Sequence, residues 1–281
     1  MGRRPLGWPA PDLSDAVAVV TGATRGVGRG VAEALGDCGA TVWVTGRSTR
    51  GRAATEGLPG TVEETAEAVG ARGGIGIPVR CDHTIDSEVE ELFARVGERH
   101  GRVDLLVNNV WGGYERYDAA EFNAPFWEQP LDRWQAMFDA GVRAHFVASR
   151  LAAPLLLRAR RGLVVNTSFG LGGKYLGSLL YDVAKNAVDR LAFAMAEELR
   201  PYGVAAVSVH PGFVRTERNV AYYGEPLADK QSPELTGRVI AALAADPELL
   251  GRSGRALAVE ELAAEYGLED VPALEPERSV P

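Results

Sequence analysis

Short apolar runs alternate with longer segments of helical periodicity along most of the 281-residue chain. The runs are AVAVV (16–20), TVWV (41–44), GIPV (76–79), VDLLV (103–107), GLVVN (162–166) and VAAVSV (204–209). Helical patterns between them cover 27–37, 61–71, 86–99, 131–160 and 178–200. Each run is short and apolar throughout, as expected of a strand covered on both faces. Strand and helix in strict alternation predict a single α/β domain, a doubly wound parallel sheet with helices on both faces. Ser87 and Glu90 have capping-box spacing and predict the start of the third helix.

Residues 1–14 read as an N-terminal extension, 15–260 as the domain and 261–281 as a tail whose Pro/Glu-rich end is loose. Two segments exceed a minimal sheet: the aromatic-rich insertion WGGYERYDAAEFNAPFWEQP (111–130), and a lid and C-terminal region (217–260) with a helix at 233–245.

Composition narrows the partners. A formal net charge of −8 and an isoelectric point near 5.2 argue against nucleic acid and anionic membranes, which favour a basic face. The run RARR (158–161) reads as a solvated helix end, where cations suit the dipole. No run approaches the length of a membrane span, the first residues lack an apolar signal core, and Leu6 breaks the myristoylation pattern; a cytoplasmic protein is expected. Cys38 and Cys81 read as buried small hydrophobes. His83, His100, His145 and His210 are scattered without metal-ligand spacing, and no metal site is expected.

Chemistry begins at TGATRGVG (21–28), between the first strand and the first helix. Its glycines stand at 22, 26 and 28, giving G-x-x-x-G-x-G rather than the commoner G-x-G-x-x-G. Such a turn lets backbone approach a pyrophosphate and aims a helix N-terminus at the anion. A tight turn without a ligand has the same composition, so the turn alone leaves both readings open.

Further motifs follow in order: CD (81–82) after the third strand, NN (108–109) after the fourth, YDVAK (181–185), and PGFVRT (211–216) after the sixth. In this order and spacing the chain resembles the short-chain dehydrogenase/reductase family from roughly residue 15 to 216. VNNVWGG, FWEQP and GRVIAALAADPELLGRSGRAL narrow the resemblance to one branch. It implies a Rossmann-type fold and a nicotinamide cofactor held by Gly22, Thr24, Arg25, Gly26, Val27, Gly28, Arg47, Ser48, Asp82, Asn109, Tyr181, Lys185, Pro211, Gly212, Val214 and Thr216, with Asp82 on the adenine. It also implies a homodimer or homotetramer paired through the helices holding HFVASRLAAPLLLRA and VAKNAVDRLAFAMAEEL.

The end of the second strand separates the two nicotinamide cofactors. NAD sites place an acid there for the ribose 2′-hydroxyl, whereas a 2′-phosphate wants a cation. In WVTGRS, Gly46 stands where the acid would be and Arg47 and Ser48 follow, while Arg25 in the glycine turn can approach the same phosphate. NADP(H) is therefore expected over NAD(H).

Tyr181 and Lys185 are four apart and share a helix face. The resemblance makes Tyr181 the proton donor to a substrate carbonyl, Lys185 the ammonium that stabilises its phenolate, and Ser168, just beyond the fifth strand, the group that holds the carbonyl oxygen. One departure stands out: the family usually carries an asparagine in the long helix before the fifth strand, and here the register gives Gly141. Glycine there is expected to leave room for a second water, with a relay built from backbone and water; His145, one turn on, reads as a buried structural histidine.

Trp111, Tyr114, Tyr117, Phe122, Phe126, Trp127, Phe169, Leu171, Tyr175, Tyr222 and Tyr223 fall in the substrate loops and predict an apolar or aromatic ketone or aldehyde as substrate. Phe126, Trp127 and Trp134 also fit as anchors of the insertion. The favoured reading is an NADP-dependent carbonyl reductase or alcohol dehydrogenase. A cofactor-binding sensor with little turnover is the alternative that Gly141 motivates, and an extended-type epimerase or dehydratase is disfavoured by the turn and the chain length.

Overall fold

The computed structural model describes residues 8–52, 55–159, 161–170, 173–224, 227 and 229–272. Leu171, Arg160 and most of the Pro/Glu-rich end lie outside the described residues. Seven strands form one parallel sheet: β1 Val17–Val20, β2 Thr41–Gly46, β3 Ile75–Arg80, β4 Leu105–Asn108, β5 Leu163–Thr167, β6 Ala205–His210 and β7 Ala256–Ala258, in the order β3-β2-β1-β4-β5-β6-β7. The helices are α1 Gly26–Asp37, α2 Val62–Ala71, α3 Asp86–His100, α4 Ala119–Asn123, α5 Asp132–Trp134, α6 Ala144–Leu156, α7 Leu179–Leu199, α8 Glu217–Tyr223, α9 Pro233–Ala245, α10 Leu249–Arg252 and α11 Val259–Glu265. The order of strands reverses between β1 and β4, so a crevice opens at the carboxyl ends of those two strands, where ligands of such sheets bind.

Alternate strand residues feed two cores. Val20, Val42, Val107, Val165 and Val207 meet α1 and α9 through Val31, Leu35, Val239 and Leu243. Val19, Trp43, Leu106 and Val164 meet α3 and α6 on the other face through Val89, Phe93, Ala148 and Ala152. β7 is the element that periodicity misses: three residues within GRALAV are too few to register a run. The core continues past residue 260, since Leu262 and Ala263 of α11 are buried in it. No described helix is long and apolar enough to cross a membrane.

Two local expectations change. The Ser87–Glu90 capping box does not form, because α3 starts two residues earlier than that box requires, at Asp86 with Ile85 at the cap position, which leaves Ser87 inside the first turn. Glu88 instead turns back to accept from the Asp82 N–H at 2.6 Å and to pair with Arg80. The reciprocal box occurs at α2, where Thr61 and Glu64 bond each other's backbone N–H groups. The predicted 131–160 helix is composite: α5 runs into a π-helical stretch, Gln135–Arg143, before α6. That wider winding lies beside the crevice, and π-bulges concentrate at such places.

Candidate active site

At the first βα turn, Gly22 has φ +64 and a Cβ there would lie 3.2 Å from the Asn109 carbonyl oxygen. Only glycine meets both demands. Asn109 ties the end of β4 to this turn, with its N–H donating to Thr21 Oγ1 (2.9 Å) and its amide to the Gly22 carbonyl (3.1 Å). Gly28 has a different task from the one expected: it does not line the crevice. A Cβ on it would come within 2.3 Å of the Gly22 oxygen, so its role is to let α1 pack onto the turn. At the start of α1 the Gly26 N–H donates to Glu217 Oε2 at 2.8 Å. This amide therefore already holds an anion, as the donor set of a phosphate site should.

The end of β2 is crowded for a side chain at Gly46. A Cβ on Gly46 would lie 2.8 Å from the Thr24 methyl. Arg47 forms an ion pair with Glu115, which comes from the aromatic insertion. Arg25 donates to Ser48 Oγ (3.1 Å), Pro59 O (3.0 Å) and Leu58 O (3.2 Å), and burial lowers its guanidinium pKa. Asp82, although burial opposes its ionisation, is held below the usual carboxylate range by hydrogen bonds from the Thr84 hydroxyl (2.7 Å) and N–H (3.0 Å).

These groups and the catalytic candidates line one cleft of about 460 Å³. Gly22, Thr24, Arg25, Gly26, Val27, Arg47, Ser48, Asp82, Asn109, Pro211, Gly212, Val214 and Thr216 line it together with Ser168, Tyr181 and Lys185. Tyr181 and Lys185 project from the first two turns of α7 and are almost fully buried. Burial, with Tyr114 alongside, drives the Tyr181 phenol well above its ordinary pKa. The Tyr114 hydroxyl donates to the Tyr181 hydroxyl at 3.2 Å. Burial pulls Lys185 down to about 7, against an opposing pull from Asp189. Ser168 faces the cleft, and its hydroxyl donates to the Lys185 carbonyl at 3.1 Å.

The space beside Gly141 is not open to water. The indole of Trp111 fills it, and a Cβ on Gly141 would lie 2.4 Å from the ring. The space expected for an extra water at this point is therefore taken by an aromatic contact. His145 is buried, bonded through Nε2 to the Val110 carbonyl at 3.0 Å and pushed by burial down to about 3, so it is a neutral structural residue.

Of the predicted substrate residues, Trp111, Tyr114, Tyr117, Phe122, Phe169, Tyr222 and Tyr223 line the cleft. Tyr175, Phe126 and Trp127 do not; Trp127 is 71% exposed and packs only edge-to-face on Phe126, so neither of that pair anchors the insertion. Three participants escaped sequence reasoning. Glu115 pairs with Arg47, Glu217 accepts from the Gly26 N–H, and Arg218, paired with Glu56, stacks over Tyr114 (5.0 Å) and Tyr117 (5.6 Å). Their only sequence signal is position, Glu217 and Arg218 directly after PGFVRT and Glu115 directly after Tyr114. Cys38 and Cys81 are free and buried, their thiols pushed up to about 12, and among the described residues no His/Cys/Asp/Glu group could hold a metal ion.

The cleft thus joins an anion-accepting backbone turn to a buried tyrosine–lysine pair with aromatic walls. The short chain dehydrogenase family model matches residues 16–224. Dehydrogenase/reductase SDR family member 1 of Mus musculus is 39% identical over 270 residues, covering 91% of this chain and 83% of that one, in keeping with the branch that VNNVWGG and FWEQP suggest. Among solved structures, a putative dehydrogenase from Xanthomonas campestris superposes with a TM-score of 0.80 at 26% identity, covering 96% of this chain and 99% of that one. A metagenomic short-chain oxidoreductase in complex with NADP superposes with a TM-score of 0.68 at 27% identity over 87% and 96% of the two chains. Motif order, sheet topology and these matches agree: the chain belongs to the short-chain dehydrogenase/reductase family of oxidoreductases.

Proposed function

We propose that this protein is an NADP(H)-dependent oxidoreductase that interconverts a carbonyl and an alcohol on an apolar or aromatic small molecule. The observation that carries the reading is one cleft that Arg25 and Arg47 share with Tyr181 and a set of aromatic rings. Arg47 and Ser48 suit a 2′-phosphate, and at Gly46, where an acid would favour NAD, there is no side chain and an added one would press on Thr24. The solved relative with NADP supports the same choice. Gly22, Gly26, Asn109 and Thr216 would hold the pyrophosphate and nicotinamide ends. A nicotinamide cofactor supplies hydride to the carbonyl carbon.

The chain's own residues supply the rest. Tyr181 donates its phenolic proton to the carbonyl oxygen, so hydride plus proton complete the alcohol. Its raised pKa makes the proton hard to lose unless a positive charge stands beside the nascent phenolate, and Lys185 provides it. Ser168 exchanges its bond to the Lys185 carbonyl for one to the substrate oxygen. Phe122, Phe169 and Tyr223 exclude water and accept an apolar ring. Exposed Phe146 on α6 and Val183 and Phe193 on α7 support pairing of subunits through those helices, which light scattering would measure.

Fluorescence titration with NADPH and NADH, followed by absorbance assays on a panel of aromatic and alicyclic carbonyls, tests the reading. NADPH should bind about tenfold tighter or more, and be consumed. Equal affinities would remove the NADP assignment, and tight binding without oxidation across the panel would favour the sensor.

A further inference from the structure

Trp111 stands at an unusual junction. A Cβ on Gly113 would lie 2.4 Å from its six-membered ring and one on Gly141 would lie equally close, so two glycines from separate segments together form a slot for the indole. Lys185 Nζ sits 3.8 Å from the ring centroid, and the Tyr181 ring meets the indole edge-to-face at 5.5 Å, 88° between planes. The lysine ammonium thus caps the Trp111 ring, with the Tyr181 ring centroid 5.7 Å away.

We propose that Trp111 is a positioning residue for the reaction: its indole face, admitted by Gly113 and Gly141, holds the charged Lys185 ammonium beside Tyr181. The inference rests on the proposed roles of Tyr181 and Lys185. Its physical basis is the attraction of a cation to the negative face of an aromatic ring, which strengthens when both are desolvated. The other charged or titratable groups around Lys185 fit the assignment. Asp189, four residues on along α7, favours the ammonium but is itself engaged with His210 at 2.9 Å, and His145 from α6 is neutral. Burial pulls the Lys185 pKa down, and a cation held on the indole face would oppose that pull. Gly141 is then no lesion in the site. It is the space that the aromatic support requires.

The chain contains three lysines, Lys174, Lys185 and Lys230, so selective labelling of lysine at Cε gives a spectrum simple enough to titrate by NMR in the full-length, cofactor-free protein. In the unaltered protein the Lys185 Hε resonances should be shifted upfield by the indole ring current; an ordinary shift would overturn the contact with no variant needed. Trp111→Leu should lower the Lys185 titration midpoint by about one pH unit, and Trp111→Phe by less. Gly141→Ala, which pushes the ring away while keeping it, should reproduce the Trp111→Leu shift. An unchanged midpoint in folded Trp111→Leu and Gly141→Ala would reject the proposal.

Kinetics separate this inference from the reading beneath it. Since charged Lys185 supports reduction, the pH above which kcat falls should move down by about one unit in Trp111→Leu, with a loss of about tenfold above the midpoint and little below it. A midpoint shift in the spectrum without a matching shift in kcat would keep the contact and overturn its catalytic purpose. Full turnover in Tyr181→Phe would instead bring down the proposed function while leaving the spectral result standing.

Discussion

The two ends of the cleft are built from different materials. At the proposed cofactor end the glycine turn is built from backbone: Gly22 in a left-handed conformation, the Gly26 N–H at the helix start, and Gly28 allowing close packing, with the Arg25 and Arg47 side chains beside it. The substrate end is built from side chains that the fold gathers from distant segments, Trp111 and Tyr114 from the insertion, Phe169 after β5, Tyr181 on α7 and Tyr223 on α8. Backbone sites are local and leave a fixed spacing in the sequence, whereas side-chain sites depend on which rings happen to meet. Glu115 joins the ends, being next to Tyr114 in sequence and paired with Arg47 in space.

Variants at each end should fail in different ways. The largest effect is expected at the chemical centre: Tyr181→Phe removes one hydroxyl and should cost roughly 10²- to 10⁴-fold in turnover with cofactor affinity largely intact, as stopped assays and fluorescence binding would show. Near-normal turnover would mean that another group moves the proton. Next comes Arg47→Ala, which should weaken NADPH by roughly 1.5–3 kcal/mol and leave NADH nearly unchanged. Equal losses for both cofactors would break the assignment of this end to a 2′-phosphate.

Gly28→Ala probes backbone packing without touching a charge. Its methyl would press on the Gly22 carbonyl, so a stability loss of about 1–3 kcal/mol is expected, read from thermal melts, together with similar weakening of NADPH and NADH. Unaltered stability would show that the turn is softer than its geometry implies. The smallest change belongs to the link between the ends. Glu115→Gln frees Arg47 from a partly exposed ion pair, and NADPH should tighten by no more than about 1 kcal/mol. Weaker binding in that variant would mean Glu115 orients Arg47 for the phosphate rather than competing for it.

This division also explains what could be read from the sequence. Six of the seven strands announced themselves as apolar runs, and the family resemblance in motif order pointed to the glycine turn, Asp82, Asn109, Ser168, Tyr181 and Lys185, which the fold gathers in one cleft. The three-residue β7 had no periodicity to detect, and α3 began beside a capping signal that the chain does not use. The occupant of the space at Gly141 was illegible because the ring that fills it lies thirty residues earlier, in a segment without regular structure. Contacts such as Glu217 on the Gly26 N–H, separated by 191 residues, exist only once the sheet has brought α8 over α1.

The central claim is that hydride and the Tyr181 proton meet on one substrate carbonyl in this cleft. Its most direct measurement uses NADPH carrying deuterium on the transferable C4 position, a reducible aromatic ketone from the panel, and mass spectrometry of the product. The account predicts an alcohol with deuterium on its carbinol carbon, formed by the unaltered protein and not by Tyr181→Phe. Bound NADPH that keeps its deuterium with every carbonyl offered would contradict it.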